Sequence, residues 1–280
     1  MMASPPVPDH AFVVAAYGVS SFLPACLESI ATQTLAGSAA LVTTSTPSDA
    51  LDAVAARHGV QLRVNPRRAG IGGDWNYALD ACDARYVTIA HQDDVYRPRY
   101  VERILAALSN VPEALIGFSD FDETTETGPR PAHFNLRLKR FLCNRAFRGR
   151  RAIHDPNDKR RLLAWGNPIG CPAVTFDRRN TGDFRFVEDM ASNLDWDAWL
   201  RLADRAGAFV RVDEALVVRR IHRQSETSAL IADRRRIAED RLMFGRLWPK
   251  PVAAVIAAIY RSSYRANRTG EARATIAGDA

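Results

Sequence analysis

Two adjacent acids, Asp93 and Asp94, close the stretch Arg85-Tyr-Val-Thr-Ile-Ala-His-Gln-Asp-Asp-Val-Tyr96. Tyr86 to Ala90 is aromatic, β-branched and apolar with no Gly or Pro inside, so it reads as a buried strand of a parallel sheet. His91, Gln92, Asp93 and Asp94 then fall at its carboxyl end, the edge where open α/β sheets bind ligands. Neighbouring carboxylates there are costly unless a cation neutralises them. Mg2+ or Mn2+ suits the place, because both favour oxygen ligands and are shared between one or two carboxylates and the phosphates of a substrate, which points to a nucleotide-bound donor. The plain structural alternative is an N-cap for a helix starting near Pro98, with the second acid solvated.

Three further stretches carry candidate chemistry. Asn65-Pro-Arg-Arg-Ala-Gly-Ile-Gly-Gly-Asp74 is a basic, Gly-rich loop leading into a helix from Trp75 to Cys82; its glycines allow close backbone approach and a helix amino terminus attracts phosphate. It is neither a Walker loop nor GxGxxG, so a plain loop is the commoner reading. In Ser192-Asn-Leu-Asp-Trp-Asp-Ala-Trp-Leu-Arg-Leu-Ala203, helical spacing puts Trp196, Trp199, Leu200 and Ala203 on one face and pairs Asp197 with Arg201 on another. Asp195 lies in the first turn, where its plain role is half of a capping box with Ser192. His222, in Ile221-His-Arg-Gln-Ser-Glu-Thr227, is by itself an ordinary loop residue.

The elements that position these residues alternate. Strands are expected at Ala11 to Tyr17, Ala40 to Thr43 and Val60 to Val64, with helices from a Ser21 cap to Gln33 and from Ala50 to His58. A helix from Arg99 to Ser109 precedes a strand from Ala114 to Phe118 that closes in Ser119-Asp-Phe-Asp-Glu123. The alternation argues a doubly wound, mainly parallel sheet. From Thr124 to about Asp158 the pattern weakens into an insertion with a basic amphipathic stretch, Leu136 to Phe147, read as a lid, an acceptor wall or a membrane-facing helix. Asn167 to Phe176 reads as loop and strand, Arg178 to Val187 as a polar excursion, and Ala208 to Val212 and Ala215 to Arg220 as two short strands.

The 280 residues suffice for a sizeable core, and the formal charge of +6 is modest. Its Arg runs, 137–151, 219–223 and 234–236, suit a diphosphate, a polyanion or an anionic membrane, although a solvated face is the commoner reason for one run. Cys26, Cys82, Cys143 and Cys171 form no CxxC pair, which leaves neither a zinc site nor a disulfide framework and fits a reducing compartment. Pro5, Pro6, Pro8 and Asp9 stand where a signal peptide needs a basic start and an apolar run, and Val252 to Tyr260 is too short to span a bilayer. A cytoplasmic location is expected, at most peripheral at the inner face of the membrane, with no nucleic-acid partner.

Taken in order, these features resemble an inverting family 2 glycosyltransferase with the GT-A fold, over roughly residues 11–227. The carriers are Phe12-Val-Val-Ala-Ala-Tyr17, Asn65 with Gly70 to Asn76, Gln92-Asp93-Asp94 as a version of the DXD signature, Asp195 to Arg201, and Arg220-Ile-His222 with Ser225. The resemblance implies a Rossmann-like sheet flanked by helices: a disordered lead (1–10), a catalytic domain (11–228) with a nucleotide-sugar half (11–97) and an acceptor half (98–228), and a helical extension (229–280). It places Ala15, Tyr17, Thr44, Asn65, Gly72, Asn76, Gln92, Asp93 and Arg220 on the donor. Asp94 and His222 approach the Mg2+ or Mn2+, and Asp195 serves as general base. One departure concerns the second strand, which in the family ends in acids that read uracil and here ends in Thr43-Thr44-Ser45-Thr46, so dTDP and GDP sugars stay open. Trp75 likewise stands where many relatives have Arg.

The implied reaction is an in-line displacement with inversion, from a nucleotide-sugar donor to a glycan or lipid-linked glycan acceptor, in bacterial surface polysaccharide or glycoconjugate assembly. Asp195 is preferred to Asp197 as the base, because Asp197 has Arg201 one turn on to hold it charged in solvent, whereas the corresponding neighbour of Asp195 is Trp199. A nucleotidyltransferase would use a similar acid pair but needs an early triphosphate loop with a catalytic Lys, which the chain lacks. An inactive sugar-nucleotide-binding module would have no need of Asp195.

Overall fold

The computed structural model describes residues 9–222 and 235–260. The expected lead before residue 9, the part of the 221–227 loop with Ser225, Arg234, and the frayed end at 269–280 lie outside the described residues.

The amino-terminal half alternates as its pattern demands: β1 (His10–Ala16), α1 (Leu23–Ala31), β2 (Ala39–Thr44), α2 (Asp49–Arg57), β3 (Gln61–Val64), α3 (Gly70–Asp80) and β4 (Tyr86–His91). β1 starts within the expected lead, because His10 is buried and bonded through its ring nitrogens to Ser38 Oγ and Thr88 Oγ1, each at 3.0 Å. Ser21 does not cap α1; Phe22 holds the cap position without a side-chain bond, whereas Ser48 caps α2 by accepting from the Leu51 amide. α3 begins inside the Gly-rich loop rather than at Trp75. Gly70 makes the entry at φ 71°, and Gly72 packs so tightly that a Cβ there would meet the Val187 carbonyl oxygen at 2.2 Å.

After the two-residue β5 (Val95–Tyr96) come α4 (Tyr100–Ser109) and β6 (Ala114–Thr125), which runs well past Phe118. Its acids look like a turn in the sequence, but Asp120 pairs with Arg211, Asp122 with Arg97 and Arg140, and Glu123 with Arg130, so the strand continues. The region with the weakest pattern is ordered: β7 (Gly128–Arg130), α5 (Phe134–Phe147), β8 (Ala152–Ile153) and α6 (Pro156–Leu163). α5 buries Leu136, Leu142, Cys143, Ala146 and Phe147 in its own protein and exposes Phe134 and Phe141. β9 (Val174–Asp177), α7 (Arg178–Thr181), α8 (Leu194–Ala203), β10 (Ala208–Arg220) and α9 (Arg235–Leu247) follow, then a helical segment at 250–260. β10 is one strand where two were expected, with its register against β6 shifted near Val212 and Ala215.

The sheet order is β3-β2-β1-β4-β9-β6-β10-β5. Parallel ladders join β3, β2, β1 and β4, and another joins β6 to β10, while β9 is antiparallel to both β4 and β6. The carboxyl ends of β1, β2, β4, β6 and β10 therefore share one edge. One core lies between the sheet and α3, α5, α6, α8 and α9, and the other lies against α1 and α4. α9 belongs to that first core, with Met243 and Phe244 fully buried and Phe244 edge-on to Trp196 at 5.0 Å. Ala253 and Ala257 turn inward beside it, whereas Val252, Val255 and Ile259 are exposed.

Candidate active site

β4 delivers His91 and the acids to the shared edge. Asp94 is 3% exposed and accepts from the Arg220 amide at 2.9 Å, with His91 Nδ1 3.8 Å from its other oxygen. Burial and then the neighbouring Asp93 push its carboxyl up to about 7, against the opposing pull of Arg219 and the Arg220 amide. Asp93 bonds His222 Nε2 at 3.0 Å, and its carbonyl accepts from Arg220 Nε at 3.3 Å. Gln92 donates to the Tyr17 carbonyl at 3.0 Å, tying the end of β1 to that of β4.

The ligand atoms of His91, Asp93 and Asp94 lie within 4.8 Å of one another. His91 Nε2 is buried without a hydrogen-bond partner, and burial holds the ring down to about 4, hence neutral and able to coordinate. Two crowded carboxylates beside a neutral imidazole, whose Nδ1 faces Asp94, fit a divalent cation. Sequence reasoning gave that role to Asp94 and His222; the structure brings His91 beside the two acids and places His222 against Asp93.

The other predicted donor residues divide. Ala15 lies opposite Thr43 in one ladder and His91 in the other, and Tyr17 is 67% exposed just beyond β1. Thr44 is buried, its hydroxyl 3.2 Å from that of Thr46, which accepts from the Gly18 amide at 2.7 Å. Asn65 is buried and donates to Asp74 at 2.9 Å. Asn76 exchanges bonds with the Phe186 backbone, 2.7 Å and 3.0 Å, so together with Gly72 it docks α3 on the 186–188 segment.

Asp195 stands at the first turn of α8. The capping box does not form: Ser192 donates instead to Glu239 at 2.6 Å, and Asp195 accepts from the Trp196 amide at 2.7 Å and Asn167 at 2.8 Å. Burial raises its carboxyl, opposed by Arg236, the Trp196 amide, Lys139 and Arg219. Arg219, whose guanidinium lies 5.0 Å from the Phe121 ring centre, thus acts electrostatically on both Asp94 and Asp195. Asp197 is not in solvent as expected. It is 4% exposed and gripped by Arg201 at 2.7 Å and by Arg246.

The residue sequence reasoning missed is Glu239 on α9. It accepts from the amides of Ala191, Ser192 and Asn193 at 2.7–2.9 Å, holding the segment that leads into α8, up to its N-cap residue, from a distant part of the chain. Burial pushes its carboxyl up, but the Ser192 hydroxyl and those amides hold it below the ordinary carboxylate range. Asn193 donates to the adjacent Asp240 at 2.8 Å. No local signal announces a contact supplied across that distance.

Residues 11–165 match the family model described as glycosyl transferase family 2. The chain belongs to glycosyl transferase family 2. Among solved structures it is similar to the mannosyltransferase PcManGT from Pyrobaculum calidifontis in complex with GDP-Man and Mn2+, at 15% identity and a TM-score of 0.64 over 97% of this chain and 80% of that one. It is also similar to S. aureus TarS 1–349 in complex with UDP-GlcNAc, at 14% identity and 0.59 over 90% and 71% of the two chains. Against the longer S. aureus TarS chain, 12% identical with a TM-score of 0.57, 90% of this chain covers 42% of that one. At these identities the likeness is one of fold, the GT-A arrangement of a mixed α/β sheet flanked by helices. No curated protein matches the sequence.

Proposed function

We propose that this glycosyltransferase moves a sugar from a nucleotide-diphosphate donor to an acceptor hydroxyl with inversion, and that Asp195 is its base. The observation that carries the reading is the acid site at the carboxyl end of β4, where the ligand atoms of His91, Asp93 and Asp94 lie within 4.8 Å of one another, together with a further carboxylate, Asp195, at the head of α8. A donor bridging the two would put its diphosphate at Asp93 and Asp94 and its anomeric carbon toward Asp195. A divalent cation, Mg2+ or Mn2+, held by Asp94 with Asp93 and His91, would supply positive charge against that diphosphate.

Asp195 is held by Asn167 and the Trp196 amide, which fixes its plane, and its raised affinity for a proton suits a base that must take one from a hydroxyl. As it does so, the acceptor oxygen bonds to the anomeric carbon and the bond from that carbon to the phosphate oxygen breaks. Arg219 then faces the charge growing on the leaving diphosphate. Tyr17, Gln92 and Arg220 stand at the donor end of this site. The acceptor side lies toward α5, whose Lys139 is among the cations acting on Asp195. We assign the acceptor to the glycan or lipid-linked glycan class and the pathway to surface polysaccharide or glycoconjugate assembly, in the cytoplasm or at the inner membrane face.

The test is release of nucleoside diphosphate from a panel of nucleotide sugars with and without Mn2+, with the anomeric configuration of the product read by NMR. Metal-independent release, or retention of configuration, would overturn this reading.

A further inference from the structure

β2 ends in Thr43-Thr44 and runs on into Ser45-Thr46, with no carboxylate of its own at that end. We propose that Asp74, delivered by the first turns of α3, is the base reader and that it selects guanine; the proposal rests on the nucleotide-sugar reading above.

Asp74 brings a carboxylate to the carboxyl end of β2 that the strand itself does not supply. Its Oδ2 accepts from Ser45 Oγ at 2.8 Å and its Oδ1 from Asn65 Nδ2 at 2.9 Å. Both donors are 5% exposed, and Asn65 is fixed in turn: its amide donates to the Thr44 carbonyl at 2.7 Å and its side-chain oxygen accepts from the Arg67 amide at 3.1 Å. The carboxylate plane is therefore set, while Asp74 remains half-buried and accessible. Each oxygen has given one acceptor direction to a neutral donor and keeps another.

The surroundings suit a flat ring. Side chains alternate along a strand, so Thr43 shares the face of β2 that leads to Ser45. Thr43 Oγ1 is buried with no partner, a polar atom for which the protein supplies no bond. Ala15 lies opposite Thr43 in the ladder, so the face carries small side chains. Trp75, next to Asp74 on α3, stacks on His91 at 5.3 Å. That contact links the base end of the cleft to the acid site that would take the diphosphate.

The chemistry of a two-oxygen edge then separates the bases. Guanine presents N1–H and an N2–H side by side and can satisfy both oxygens at once. Uracil and thymine present one N–H flanked by carbonyl oxygens that repel the second carboxylate oxygen. Adenine and cytosine present an amino group beside a ring acceptor, with the same repulsion.

The test is calorimetric titration of the full chain with GDP, UDP, dTDP, CDP, ADP and pyrophosphate in Mn2+, for the wild type and for Asp74→Asn, with thermal melts to establish that the variant is folded. GDP should bind tightest by about tenfold or more, the scale of charge-assisted hydrogen bonds. Asp74→Asn should bring GDP down to the level of the other nucleotides while pyrophosphate binding is unchanged. A different base leading in the wild type overturns the inference without reference to any variant, and so does a folded Asp74→Asn protein that keeps the GDP lead. If neither nucleotides nor pyrophosphate bind the wild type, the nucleotide-sugar reading fails and this inference falls with it.

Discussion

Replacing Asp94 with Asn should move stability and ligand binding in opposite directions. In metal-free protein the Asp94 carboxyl is raised from the ordinary 3.8 to about 7, chiefly by burial and by Asp93. A raised carboxyl favours the folded state below its unfolded value and loses that advantage as pH climbs toward the folded value. The wild type is thus penalised progressively between pH 3.8 and 7, and the penalty is constant above. The distance between the two values, at 1.36 kcal/mol per pH unit, corresponds to about 4 kcal/mol, an upper figure since local relaxation and water reduce it. Asn keeps an oxygen for the Arg220 amide and carries no charge. In EDTA at pH 8 the variant should therefore melt higher than wild type, by about 5–10 °C on the usual relation between free energy and midpoint, and the gap should close near pH 4. Mn2+ with nucleoside diphosphate should raise the wild-type midpoint and leave that of the variant nearly unmoved. A variant that melts below wild type in EDTA at pH 8, or that keeps Mn2+-dependent nucleotide binding, would refute the reasoning.

Asp195→Asn should lower turnover by about 10²-fold or more with donor affinity nearly intact, and the acidic limb of the wild-type rate profile should lie above the ordinary carboxyl range because burial raises this group. Asp197→Asn should keep catalysis but lose about 3–5 kcal/mol in a urea melt, as it leaves two arginines without their buried partner. Glu239→Gln should cost about 1–3 kcal/mol in the same melt and lower kcat without changing donor affinity, since an NH2 replaces one of its two accepting oxygens and faces amides that need an acceptor; a purely structural residue would leave kcat alone once the protein is folded. Sedimentation with anionic vesicles at low salt checks a peripheral membrane contact through the exposed Val252, Val255 and Ile259, which should pellet the wild type and not a triple Ser variant.

The fold was most legible where local pattern and tertiary role agree. β4 reads as a buried strand because it is buried, and the acids after it fall at the sheet edge that its direction requires. α8 was legible from its apolar stripe, whereas Asp195 drew notice through the family resemblance, since its place in the first turn by itself suggested only a capping role. Legibility failed where the deciding partner is distant. Asp197 looked solvent-facing because Arg201 is visible at i,i+4, while Arg246, which helps bury it, is 49 residues away. The acids of β6 suggested a turn until Arg97, Arg140 and Arg211 supplied their charges. α6 carried a local signal, Asp155 before Pro156, with the Asp side chain accepting from the Asn157 amide, but the weak apolar periodicity around it masked the helix. The importance of Asp74 depended on the geometry of β2 and was invisible from its own loop.

The grip of α9 on α8 bears on where segments of this chain could be exchanged. Exchange of segments among relatives is tolerated where few bonds cross the joint, and the region matched by the family model ends at residue 165, before either helix begins. A crossover placed between 203 and 235 would bring a foreign helix to Glu239, Asp240 and Arg246, and the three amides leading into α8, Asn193 and Asp197 would each meet a stranger. Asp195 and the α9 residues that hold the start of its helix therefore form one packing unit, which a chimera has to carry whole.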